Sequence, residues 1–205
     1  AKAHAAGLAD ISAERVRQEL DKILLADTKY GASDGVARGL RLLGQTGAMD
    51  VIMPELCEGR GIAQRAQYHA YDVYEHGLHA CAAAAPDLTL RLSALLHDVG
   101  KPAALRQNGR MLGHDALGAS MAQDILLRLK YPAAVREEVV ALIAHHMYDL
   151  TGLAKESTLR ERFAQWGAAH TLRLCALREA DVYGSGVQPQ GQPVQTAERF
   201  RQVLC

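Results

Sequence analysis

The chain has little of what strand-rich, secreted, membrane or strongly basic proteins are made from. Aromatic residues fill only 5% of 205 positions, while Ala and Leu abound, a bias toward helix over sheet. Positive charge is not in surplus. Lys+Arg and Asp+Glu number 23 each, so the basic excess behind strong non-specific nucleic-acid binding is missing. A local basic patch stays open. The four cysteines, Cys57, Cys81, Cys175 and Cys205, include no C-x-x-C pair. They are too few for a disulfide scaffold at this length, so a reducing, cytoplasmic setting is expected. No apolar run reaches about 18 residues, which argues against a membrane-spanning helix. No charged-then-apolar leader opens the chain. The first residue is Ala1 rather than Met, so a trimmed chain or a piece of a longer one is expected.

What is present is an ordinary folding composition, 49% hydrophobic and 22% charged. The length suits one core, or one domain with a small appendage. Residues 12–26 read as an amphipathic helix, with Ser12 as N-cap and Val16, Leu20, Ile23 and Leu24 on one face. Residues 35–46 read as a second, ended by Gly47. Pro54 is expected to break the chain, and 57–67 reads as a connector. Further helices are expected at 72–85, 88–99, 115–130, 133–148, 157–166, 168–183 and 195–204. The organisation is a small helical segment, 1–58, and a larger helical domain, 59–205, with no convincing strand.

Histidine is the outlier, with nine copies. His76, His97-Asp98, His114-Asp115, His145-His146 and Asp181 stand out. Read singly, each is bland. A lone His near a helix end is more often a satisfied cap than a ligand, and Asp115 reads as an N-cap. The apolar run Leu92–Leu96 is harder to dismiss, because it leads straight into His97-Asp98-Val99-Gly100-Lys101. Two ionisable side chains at the edge of a core need partners, and a metal ion is an effective one. Imidazole with carboxylate suits Mn, Fe, Ni, Zn or Mg. A carboxylate such as Asp98 can bridge two ions about 3.5–4 Å apart.

His76, His97-Asp98 and Asp181 together resemble the HD superfamily of metal-dependent phosphohydrolases. That resemblance implies an all-α helical bundle in which those four residues hold a first divalent ion. His114 and the His145-His146 pair resemble the two-metal members. There Asp98 bridges, and His114 with one of the pair holds the second ion. His146 is favoured by the spacing after Leu142-Ile143, with His145 as its rival. Lys101 matches a lysine many members carry and implies a contact to phosphoryl charge. The implied chemistry is hydrolysis of a phosphoester, of a nucleotide or an RNA end, by a metal-bound hydroxide. An oxygenase with two irons on the same fold has the same ligands.

A closer likeness covers nearly the whole chain. Ser12-Ala13-Glu14-Arg15, Glu19-Leu20, Gly39-Leu40-Arg41-Leu42-Leu43 and Pro54-Glu55-Leu56 look like the RNA-binding neck of bacterial tRNA nucleotidyltransferases and poly(A) polymerases. His69, Tyr71–His76 and Gly113-His114-Asp115 look like the HD domain that follows it in some of those enzymes. That family's catalytic head, the segment that carries its Gly-Ser and Asp-x-Asp motifs, is not found in these 205 residues. The resemblance implies 2′,3′-cyclic phosphodiesterase or phosphatase chemistry, or a tRNA-holding body with tRNA as partner.

The remaining candidates are weaker. His79 shares a helix face with His76 and reads as a substrate contact or an exposed polar residue. Asp72 either orients His76 or caps its helix. Asp149 reads as surface. The pairs Arg15/Arg17, Arg160/Arg162 and Arg199/Arg201 read as solvated faces or as phosphate contacts.

Overall fold

The computed structural model describes residues 6–204, so Ala1 and Cys205 lie outside the described residues. Those residues form helices and turns with no strand among them, an all-α fold. After a 3-10 turn at Ala6–Asp10, α1 spans Ala13–Leu24. Ser12 caps it, its hydroxyl accepting from the Arg15 amide at 3.4 Å. The helix ends two residues early because Leu25, at φ −116°, breaks the run before α2 (Ala26–Tyr30). The helix α3 (Gly35–Thr46) stops at Gly47, whose φ of +80° is the left-handed conformation that glycine adopts without strain. Two short helices follow that periodicity cannot reveal, α4 (Ala48–Ile52) and α5 (Pro54–Cys57). Pro54 starts a helix rather than breaking one. At the first turn its missing N–H is one no helix would use.

The rest of the chain builds α6 (Val73–Ala83), α7 (Leu88–Leu96), α8 (Lys101–Asn108), α9 (His114–Arg128) and α10 (Ala133–His145). It closes with α11 (Glu156–Trp166), α12 (Ala168–Gly184) and α13 (Gln195–Leu204). Helix α6 packs against both α7 and α12, and α10 packs against α9 and α7. Glycine permits the close approach of α12 to α6, since a Cβ on Gly184 would lie 2.4 Å from the Ala80 backbone.

One apolar cluster runs from Leu20, Leu40, Met49 and Met53 into Leu78, Leu92, Leu95, Ile125 and Ile143. A second gathers Leu142, Leu159, Phe163, Leu174 and Phe200. The N-terminal helices thus share their core with the larger domain. Removing a side chain such as Leu92, which is fully buried, would cost about 2–5 kcal/mol. Arg91 clasps the two parts. It lies buried inside the apolar run of α7, pairs with Asp27 at 2.7 Å and donates to the carbonyls of Leu24 and Ala84. Its charge is therefore partnered, which is how an arginine survives in a core.

Candidate metal centre

Two helices end sooner than their apolar patterns suggest, and both ends carry histidines of the site. Helix α7 stops at Leu96, so His97 and Asp98 sit in the turn beyond it, not on the helix. Pro102 has no N–H to give the Asp98 carbonyl, and the Lys101 amide takes that acceptor instead at 2.9 Å. The tight turn presses on α9. A Cβ on Gly100 would meet the His114 carbonyl at 2.2 Å, so only glycine brings this turn against the start of α9. Helix α10 stops at His145, and Asp149 terminates the turn beyond it with φ +49°. At the start of α9, Gly113 is the N-cap at φ +75° and His114 is the first helical residue. Asp115 is therefore not the cap. It is a first-turn acid that favours the helix dipole.

These ends converge on one buried cluster. His76, His97 and Asp181 form one triad of potential ligands, and Asp98, His114 and His146 a second. In the first, His76 Nε2 lies 3.1 Å from His97 Nε2 and 2.9 Å from Asp181 Oδ1. In the second, His114 Nε2 lies 3.2 Å from His146 Nε2. Asp98 joins the two. Its Oδ2 lies 3.3 Å from His97 and 3.5 Å from His76, and its Oδ1 lies 3.3 Å from His114 and 3.9 Å from His146.

Donor atoms this close fit a cation. Metal bonds of about 2.0–2.2 Å place neighbouring ligand atoms about 3.0–3.5 Å apart. Three rings are already set for the task. The Nδ1 atoms of His97, His114 and His146 lie 2.8, 2.7 and 2.6 Å from the carbonyls of Ala94, Met111 and Ile143. Donating there aims each Nε2 at the cluster. His76 Nδ1 is buried with no hydrogen-bond partner among the described residues, and its ring meets that of His69 edge-on, the ring centres 4.6 Å apart.

Electrostatics separates the members. Burial opposes charge on His97, but Asp98 and Asp181 outweigh it and push its pKa up to about 10. Burial, aided by His97, pushes His146 down to about 4. Burial would raise Asp98 and Asp181 too, yet the adjacent imidazoles, with Lys101 at Asp98, hold both well below the usual carboxylate range. Lys101 Nζ donates to Asp98 Oδ2 and to Gln64 Oε1, each at 2.6 Å.

The other sequence candidates fall around this cluster or away from it. His146 belongs to it and His145 does not. The His145 ring stacks on Trp166 at 4.2 Å and its Nδ1 lies 3.0 Å from His170 Nε2. Asp72 caps α6, accepting from the amides of Glu75 and Gly61 at 2.8 Å, so it does not orient His76. His79 stacks on Tyr71 at 4.0 Å and lies 3.4 Å from Arg41 Nη2, outside both triads. His69 borders the first triad, and burial pushes its pKa down to about 4. Asp149 is not a surface residue. Its carboxylate is 4% exposed, pairs with Arg199 at 2.8 Å and accepts from the Ala154 amide. Three participants carried no sequence signal. Gln64 lies in an irregular connector. Arg178 is buried on α12 and donates to the carbonyls of His146 and Tyr148. His170 links His145 to Glu138.

Comparison with known proteins finds two family matches and several relatives. Residues 67–185 match the HD domain family, and residues 1–59 match a family described as the probable RNA and SrmB-binding site of polymerase A. The chain is 42% identical over 147 residues to an A-adding tRNA nucleotidyltransferase of Deinococcus radiodurans, covering 67% of this chain and 32% of that protein. It is 39% identical to a CC-adding tRNA nucleotidyltransferase of Thermus thermophilus, over 65% of this chain and 31% of the relative. A multifunctional CCA protein of Cupriavidus necator is 33% identical over 85% of this chain and 40% of its own length. The chain thus spans about a third of the length of the first two relatives. HD-domain proteins bind divalent metals, and these two triads are a donor set for them. With its His-Asp pair contributing one residue to each triad inside the matched 67–185 segment, the chain belongs to the HD-domain family, here joined to a polymerase-type RNA-binding neck.

Proposed function

We propose that this chain is the tRNA-holding body of a tRNA nucleotidyltransferase-like protein, and that its HD half is also a divalent-metal-dependent phosphohydrolase. Residues 1–58 would hold RNA and residues 59–205 would carry the chemistry. The observation that carries the hydrolytic reading is Asp98, whose two carboxylate oxygens face different triads. The tRNA reading is supported by the neck match and by the relatives.

In this reading His76, His97, Asp98 and Asp181 hold the first ion, and Asp98, His114 and His146 the second. Bound divalent ions lower the pKa of water toward neutrality and offset phosphoryl charge. The chain's own residues do the rest. The carbonyls of Ala94, Met111 and Ile143 keep three imidazoles in one tautomer. Lys101, held between Asp98 and Gln64, offers an ammonium to a phosphoryl oxygen. The substrate class is a phosphoester of a nucleotide or RNA end, such as a 2′,3′-cyclic phosphate.

The test uses metal-stripped protein re-supplied in turn with Mn, Ni, Mg, Zn or Fe(II), with 2′,3′-cAMP and bis-p-nitrophenyl phosphate as substrates. Turnover that depends on the added ion supports the hydrolase. No turnover with any ion, alongside measurable tRNA binding, leaves the tRNA-holding role and removes the hydrolytic one.

A further inference from the structure

Arginine outnumbers lysine seventeen to six, and much of its charge is spoken for. Arg60, Arg91, Arg128, Arg199 and Arg201 each pair with a carboxylate. Arg17 and Arg136 differ. Both are half-buried, and both donate to backbone carbonyls, Arg17 Nη1 to Lys130 O and Arg136 Nη1 to Tyr131 O, each at 2.8 Å. A carbonyl fixes a guanidinium in place without cancelling its charge. The two acceptors belong to consecutive residues, whose Cα atoms are about 3.8 Å apart. Charges from α1 and α10 are therefore gathered at the α9–α10 turn.

Lys130 stands at the tip of that turn. It is exposed and has φ +60°, a left-handed backbone that glycine adopts freely and lysine does not. A strained position thus holds a third cation. None of the three is in an ion pair among the described residues. Asp21, one turn along α1, lies within the electrostatic reach of Arg17 and accepts from the Tyr131 hydroxyl at 2.7 Å, so one negative charge stands against the three cations. Glu137, next to Arg136, projects about 100° away around α10. The patch keeps a positive balance in a chain whose formal net charge is zero.

We infer that Arg17, Lys130 and Arg136 form a phosphate-binding patch for an RNA backbone, through which the HD half extends the RNA track begun by the neck. The inference rests on the RNA-binding reading of residues 1–58. Guanidiniums held in place suit phosphate oxygens, which they meet through charge-assisted hydrogen bonds. Tyr131, the aromatic of the patch, is buried, so no stacking face is offered to bases. The patch positions RNA without reading its sequence.

The experiment measures binding of an in-vitro-transcribed tRNA by the whole chain across a salt series. The first variant is Lys130→Gly, which removes charge and relieves the backbone. Its melting temperature is expected to hold or rise. The slope of log K against log salt is expected to fall by just under about one, with binding about 3–10-fold weaker at low salt. The double variant Arg17→Gln/Lys130→Gly is expected to lose close to about two from the slope. Arg201→Gln, whose guanidinium is paired with Glu179, is expected to keep the wild-type slope. Wild-type slopes in the first two variants would overturn the patch alone. Absence of salt-dependent tRNA binding by the wild-type chain would overturn the RNA reading beneath it, and the patch with it.

Discussion

The two triads meet at Asp98 but differ in charge and access. The first combines two imidazoles with Asp181, whose carboxylate is 25% exposed. The second has two imidazoles and only the shared Asp98, and all its side chains are nearly sealed. His97, beside two carboxylates, is pushed up to about 10, and His146, beside half of one, is pushed down to about 4. The same residue type is made strongly basic or weakly basic by its neighbours. The difference teaches that carboxylate count sets the basicity of these imidazoles: His97 lies beside both Asp98 and Asp181, whereas His146 has only Asp98, at 3.9 Å.

Replacing Asp98 should break the comparison outright. In Asp98→Ala the second triad loses its carboxylate and the first loses the oxygen beside His97 and His76, and metal analysis is expected to find neither ion. Phosphodiesterase activity should fall by at least about 10³-fold, with circular dichroism showing the helices intact. Retention of one tightly held ion would mean the triads do not share this residue.

Single-triad variants sharpen the contrast. Asp181→Asn should weaken the first ion by more than about 100-fold, and His146→Ala should do the same to the second, read by isothermal titration calorimetry. His145→Ala, altering a ring stacked on Trp166, should change neither by more than about 3-fold. A subtler change is Arg178→Met, which frees the carbonyls of His146 and Tyr148. It is expected to weaken the second ion by about 10-fold and spare the first.

The metal-free protein should show the same asymmetry as a pH dependence of stability. His97 is raised from its unfolded value near about 6.5 to about 10. The folded state therefore binds the extra proton between those values, and the stability it contributes is lost as pH rises through them. His146 is lowered to about 4, so its contribution is present above about 6.5 and is lost as pH falls toward 4. Urea unfolding should show highest stability near neutral pH. His97→Gln should flatten the alkaline limb, and His146→Gln the acid limb.

Much of this was legible before any coordinates. Gly47 ending α3, Ser12 capping α1 and the long helices between prolines follow from local rules that act over a few residues. The ordered run His76, His97-Asp98, His114, Asp181 is likewise a pattern along the chain. The short helices α4 and α5 were not legible, because four or five residues are too few to show a period and are held by packing rather than propensity. Asp149 read as surface because its partner, Arg199, lies 50 residues away.

By itself, then, the sequence determined an all-α chain, which histidines and aspartates stand out from the background, and the choice between strand and helix, since each rests on composition and nearby spacing. The tertiary structure decided which of two adjacent histidines turns inward. Along a helix neighbours differ by about 100°, so His145 and His146 cannot both face Asp98. Trp166 and His170 take the first, and the Ile143 carbonyl with Arg178 behind the His146 backbone sets the second. It likewise decided that Arg91 clasps rather than disrupts a core, and that Asp98 stands between two triads. Those outcomes depend on charges brought together from distant parts of the chain, and only folding sets their distances.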